Sequence, residues 1–94
     1  MSKDEIVTEI IRKLTLEIRK RIDERRGLVK ERNEHYDLLK DTSIPYEAYI
    51  SFEKEKETLE EQIVVLDYEI YSFSDAREIC FEIAEANKIK LGEI

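Results

Sequence analysis

The sequence has few of the residues that make loops. Its 94 residues include two glycines and one proline. Loops and β-turns depend heavily on both residue types. A chain this poor in them is expected to have few connections and to form long helices. Its length predicts a single domain, residues 1–94, with a thin core.

Cysteine and histidine are equally scarce. Cys80 is the only cysteine, which excludes a disulfide framework and a cysteine-based zinc site. We expect a buried, unreactive thiol, since a redox sensor would lack a resolving cysteine. His35 is the only histidine, and metal sites need three or four ligands. The sequence therefore predicts no metal and no cofactor.

Recognisable catalytic motifs are also missing. The chain has no glycine-rich phosphate loop, no serine nucleophile elbow and no Ser/His/Asp set. A magnesium-dependent hydrolase using acidic pairs such as Glu57 and Glu60 is one alternative, but a chain with 23 acidic residues produces such spacings by chance. We therefore expect a protein that is not an enzyme.

Long apolar runs are absent, and none approaches the length of a membrane span. The first residues carry acidic side chains and do not resemble a signal peptide, so we expect a cytoplasmic protein. The net charge is −7, which disfavours nonspecific binding to nucleic acid or to anionic membranes.

Helix-forming patterns dominate what is present. Ser2 and Glu5 form a capping box that begins a first helix of about residues 3–40. Gly27 lies inside it, either as a tolerated weak point or as a break into two helices. The segment 41–45 is the one clear turn, in which Thr42 or Ser43 can cap the next helix and Pro45 suits its first turn.

The second helix, about residues 45–72, has the most regular pattern. Its apolar positions alternate steps of four and three residues, as in a coiled-coil seam. They are Phe52, Lys56, Leu59, Ile63, Leu66, Ile70 and Phe73, of which only Lys56 is polar. A third helix, about residues 75–88, is predicted after a cap at Ser74. Because no glycine or proline forces that break, one long helix is the alternative.

The two long helices carry opposite charge. Residues 12–32 contain nine bases and four acids, whereas residues 41–70 contain nine acids and two lysines. The short turn makes the helices antiparallel neighbours. The resulting register predicts intramolecular ion pairs between Arg32 and Glu53, and between Arg25 and both Glu60 and Glu61. It also places Ile22 opposite Ile63 and Ile18 near Leu66.

The start of the first helix has more apolar residues than a two-helix seam can bury. The expected fold is therefore all-α: an antiparallel, coiled-coil-like helical hairpin with a third C-terminal helix packing on its open end. A dimer partner could bury the surplus as well. Aromatic and aliphatic side chains at both ends are the candidate interface residues, namely Tyr68, Tyr71, Phe73, Phe81, Ile10, Leu14, Tyr36, Tyr46 and Tyr49.

These patterns favour a protein–protein interaction module: a self-associating helical scaffold, with a dimer favoured, or a small inhibitor or accessory protein encoded by a phage or other mobile element. One protein target is the expected partner besides a second copy. The alternative is a nucleic-acid-associated protein using the Arg-rich face of the first helix. Nucleic-acid binding is the less expected of the two functions, because those bases are interleaved with Glu and face an acidic helix.

Overall fold

The chain folds into two long antiparallel helices. A computed structural model describes all residues 1–94, with α1 at Lys3–Leu39 and α2 at Tyr46–Ala86 and no strands. The rod measures 64 × 18 × 17 Å. Its radius of gyration is 20.1 Å, whereas a globular chain of this length would have about 12 Å. The predicted all-α helical hairpin is confirmed.

Helix α1 begins at the predicted cap and runs without interruption. The Ser2 hydroxyl accepts a hydrogen bond from the backbone N–H of Glu5 at 3.2 Å. The helix continues through Gly27, where an added Cβ would meet nothing within 4 Å. Gly27 therefore does not break α1, and it is a tolerated weak point of one continuous helix.

The turn between the helices is closed by Asp41. Its carboxylate accepts hydrogen bonds from the backbone N–H and the hydroxyl of Ser43. This Asx-type arrangement engages the Ser43 hydroxyl, so Ser43 does not cap α2. Pro45 is the N-cap residue of α2, with no side-chain hydrogen bond to the helix.

The predicted third helix does not exist as a separate element. Helix α2 passes through Ser74 without a break and ends at Ala86. No glycine or proline interrupts this stretch, and the steps of four and three continue from Phe73 through Arg77 and Cys80 to Ala84. The expectation that a third helix covers the open end was therefore wrong.

The core is a narrow seam between the helices. Only eight of the 94 residues are buried, and two of these are the threonines Thr8 and Thr15. Thr15 satisfies its hydroxyl by donating to the carbonyl of Ile11. The apolar core residues are Ile11, Ile18, Leu59, Ile63, Leu66 and Ala84.

The C-terminal segment folds back over the start of α1. Lys88 adopts a left-handed conformation, with φ of 52°. The N–H of Ile89 bonds to the carbonyl of Ala84, and the N–H of Lys88 to that of Glu85. These two bonds define a Schellman motif. The segment then reaches α1, where the N–H of Gly92 donates to the hydroxyl of Thr8.

Neither helix of the hairpin is long and apolar enough to cross a membrane.

Candidate interaction surfaces

Three arginines and one histidine of α1 lie at seam positions between the helices, namely Arg21, Arg25, Arg32 and His35. The acidic helix α2 supplies most of their partners. Arg21 pairs with Glu69, and Arg25 pairs with Asp67 rather than with Glu60 or Glu61. Asp67 lies two turns beyond Glu60 along α2. Side chains lean toward the N-terminus of their own helix, which shifts contacts between antiparallel helices away from the register of their Cα atoms.

Arg21 is the most fully engaged of these bases. It also pairs with Glu17 on its own helix, and the hydrogen bond from Arg21 lowers the pKa of the Glu17 carboxyl. Its guanidinium lies 4.3 Å from the centroid of the Phe73 ring. Arg21 therefore ties the two helices together by charge and by stacking.

One apolar residue that was predicted to face α2 lies outside the buried seam. Ile18, Ile63 and Leu66 are buried as expected, but Ile22 is 40 % exposed. Arg25 occupies the seam position one step further along α1 and is half-buried.

A polar cluster lies near the hairpin tip. The Nδ1 and Nε2 atoms of His35 contact the carbonyl oxygen of Glu31 and the carboxylate of Glu55. The Tyr36 hydroxyl donates to Glu60. The contact with the Glu31 carbonyl raises the pKa of His35 most, and the contact with Glu55 raises it further. His35 is thus a cross-helix link.

Arg32 does not pair with Glu53. Its guanidinium lies 5.8 Å from the Tyr36 ring centroid, and its Nε is buried without a hydrogen-bond partner. Glu53 is half-buried. Arg32 is half-buried at a seam position, and its guanidinium donates only to Asn33, the next residue on the same helix.

The first apolar surface is formed by four isoleucines at the open end. Ile6 and Ile10 lie one turn apart on α1, and Ile79 and Ile83 lie one turn apart on α2. Each is 44–48 % exposed. Ile6 and Ile83 line one shallow groove, together with Val7 and Ile89. Residues one turn apart share a helix face, so the four side chains form one patch, called here the isoleucine face.

The second surface runs along the back of α2. Val64, Tyr68 and Tyr71 follow steps of four and three residues, all exposed and all on the side away from α1. Val64, Tyr68 and Tyr71 line one groove with Asp67. Neither tyrosine hydroxyl has a hydrogen-bond partner in the chain. We call these three residues the outer stripe.

The predicted interface residues divide between these surfaces and the hairpin's own packing. Phe73 and Leu14 are half-buried, Phe73 against Arg21. Tyr46 is exposed at the start of α2, while Tyr36 and Tyr49 are partly covered near the tip. Ile10 belongs to the isoleucine face, and Tyr68 and Tyr71 belong to the outer stripe. Phe81 is exposed on α2 outside both surfaces.

Several members of these surfaces were not among the predicted interface residues. Val64 continues the outer stripe, and its signal was the second series of four- and three-residue steps on α2. Ile79 and Ile83 belong to the stretch that was predicted as a separate third helix. In the continuous α2 the seam passes through Cys80 and Ala84, which turns both isoleucines to the side.

The arrangement offers no metal-binding cluster, since no three His, Cys, Asp or Glu side chains are grouped to hold an ion.

The basic side chains that a nucleic acid would need are partly occupied. Arg21 and Arg25 pair across the hairpin, and Arg12 pairs with Glu9. Cys80 is half-buried.

Comparison of the chain with protein-family models, curated proteins and solved structures gives no match. Any proposal for its function rests on the surfaces of the hairpin itself.

Proposed function

We propose that this chain is a non-enzymatic protein–protein interaction module that works as a homodimer, formed where the isoleucine faces of two copies meet. The observation that carries the proposal is the set of four isoleucines left uncovered at the open end, two from each helix. The expected third helix does not cover them, so a second copy is the simplest source of apolar contact.

The geometry of the patch fits a four-helix arrangement. Two antiparallel hairpins that face each other make a four-helix bundle, whose core is supplied by all four helices. In a two-fold arrangement the same patch serves both copies. Helix α1 of one copy can then lie against α2 of the other.

The apolar area sets the expected strength. Burying an exposed isoleucine gains about 1.5–3 kcal/mol, so a half-exposed one has about 1 kcal/mol left to gain. Eight such side chains in two copies offer roughly 8 kcal/mol, which is similar to the roughly 4–15 kcal/mol lost on association. The gain exceeds only the lower part of that cost, so we expect a weak dimer that forms at high protein concentration.

A narrower version concerns the biological role. A small inhibitor or accessory protein, encoded by a phage or other mobile element, would use the assembled dimer to present its remaining surfaces to one protein target. The absence of a recognised catalytic group and the small, acidic chain support this version.

Light scattering coupled to size-exclusion chromatography tests the dimer directly. We expect the mass to rise toward twice that of the chain as concentration increases. Ile10→Lys and Ile83→Lys should both give a monomer, because each places a charge within the buried patch. Leu16→Lys is the matched control, since Leu16 is about equally exposed but lies outside the patch.

A monomeric mass at every concentration would refute the dimer. So would a dimer that survives both isoleucine substitutions while Leu16→Lys dissociates it. Circular dichroism of each variant separates loss of assembly from loss of folding.

A further inference from the structure

The outer stripe lies within a second regular series on α2. The series continues in steps of four and three residues on both sides of the stripe. Toward the tip it passes Glu61 and Glu57, and toward the open end it passes Asp75 and Glu78. All of these residues are exposed. Helix α2 thus carries two seams, one packed on α1 and one open along its back.

Every charge in this outer series is negative and unpaired. Glu57, Glu61, Asp75 and Glu78 form no ion pair within the chain, whereas Asp67 and Glu69 are held by α1. Residues 57–76 contain no lysine or arginine at all. Arg77 follows, but it is half-buried and donates to Thr15. The apolar centre of the series is therefore bounded at both ends by free carboxylates.

We propose that the outer stripe is a docking site for a cationic amphipathic helix of another protein. This partner would place apolar side chains on Val64, Tyr68 and Tyr71 and its lysines or arginines beside the flanking carboxylates. A helix packed along another helix contacts such a series through its own side chains at spacings of three and four residues. Charge complementarity fixes the partner's sign and its position along α2.

A second copy fits this site poorly. If two α2 helices met through their outer stripes, the carboxylates at their ends would face each other in either orientation, which costs free energy. Helix α1 of another copy is basic, but its basic stretch exposes only Leu16 and Ile22 as large apolar side chains. They lie six positions apart, which places them on different faces of the helix.

The proposal rests on the proposed function only in treating the chain as an interaction module. It uses the back of α2, whereas the homodimer uses the isoleucine face. The two are separated by measuring peptide binding and mass on the same samples. The monomeric variant Ile10→Lys should still bind the partner helix, so failure of one proposal leaves the other standing.

The test uses a designed helical probe. The probe is a three-heptad peptide of about 21 residues, with leucines at the central positions of one stripe and lysines at the flanking positions. Its control replaces those lysines with glutamates. We expect saturable binding of the cationic peptide by fluorescence anisotropy, weaker binding as salt is raised, and no binding of the acidic peptide.

Matched variants locate the site. Tyr68→Ser and Tyr71→Ser should each weaken binding by roughly tenfold, as expected for central aromatic anchors. Tyr46→Ser removes an equally exposed tyrosine outside the stripe and should change nothing. Glu61→Lys should weaken binding and flatten its salt dependence, whereas Glu34→Lys, on exposed α1 surface, should do so far less.

Equal binding of both peptides, or cationic binding that ignores Tyr68→Ser and Tyr71→Ser, would overturn the proposal. Loss of the dimer mass in Tyr68→Ser without any peptide binding would also overturn it, because the stripe would then belong to self-association. The tyrosines are more than two-thirds exposed, so their replacement leaves the hairpin folded, and circular dichroism checks this.

Discussion

The imidazole Nε2 of His35 on α1 lies 2.6 Å from the carboxylate of Glu55 on α2. The other ring nitrogen lies 2.8 Å from the carbonyl oxygen of Glu31. Both partners are acceptors, so both nitrogens must donate, and only the protonated ring can do so. We therefore expect this contact to stabilise the hairpin more when His35 is protonated than when it is neutral.

The sign of that dependence follows from the raised pKa of His35 in the folded chain. The stabilisation is fully present below the unfolded pKa of about 6.5 and is lost as pH rises through the folded pKa. We therefore expect urea denaturation to give a lower free energy of unfolding at about pH 8.5 than at about pH 6. His35→Gln should remove most of that difference, and an unchanged pH dependence in this variant would contradict the assignment.

Arg21 should contribute more stability than any exposed arginine. Its side chain is 21 % exposed and contacts two carboxylates and the Phe73 ring, whereas that of Arg26 is 78 % exposed beside Asp23. We expect Arg21→Ala to lower the free energy of unfolding more than Arg26→Ala does, because it removes two ion pairs and the packing of the side chain on Phe73. Arg26→Ala should stay within about 0.5 kcal/mol. Equal losses in chemical denaturation would show that the cross-helix cluster adds nothing.

Gly27 should be a site for stabilising the hairpin. It lies in the middle of α1, and an added Cβ would contact nothing within 4 Å. Gly27→Ala removes the entropic cost of glycine in a helix and should raise the free energy of unfolding by about 1 kcal/mol. Thermal unfolding at fixed protein concentration measures it. A decrease would mean that the backbone at Gly27 needs the freedom of glycine.

Replacing Lys88 with glycine should also raise the free energy of unfolding, for a different reason. It is the only non-glycine residue with positive φ, at the C′ position of the Schellman motif. Glycine occupies this conformation without steric cost, so Lys88→Gly should stabilise the chain by about 1 kcal/mol. Lys90→Gly is the control and should give no gain. If both variants behave alike, the left-handed conformation is not populated.

Much of the hairpin could be predicted from local signals. The Ser2 cap, the turn before Pro45 and the seam from Phe52 to Phe73 each rest on residues close together in sequence. Serine at position 74 was ambiguous, because its hydroxyl suits a helix cap and is also tolerated inside a helix. The seam continues through Cys80 and Ala84, and packing it against α1 favours one continuous helix over a helix end at Ser74.

The remaining differences come from contacts between distant segments. The pairing of Arg25 with Asp67 depends on the direction of side chains, which the count of residues from the turn ignores. The bond between Gly92 and Thr8 had no sequence signal, since it joins residues that lie far apart along the chain. Of the outer stripe, only Tyr68 and Tyr71 were predicted as interface residues. Val64 was not, because a valine is equally compatible with a buried core position.

The antiparallel hairpin places both chain ends at one pole of a rod 64 Å long, and the return of the C-terminal segment to Thr8 holds the C-terminus there. A fluorescent protein or surface tether fused at either end would therefore crowd the isoleucine face. The same label attached at Thr42, in the turn, would sit at the opposite pole. Reporters of assembly belong at that turn, and two copies labelled there would report the relative orientation of their long axes by energy transfer.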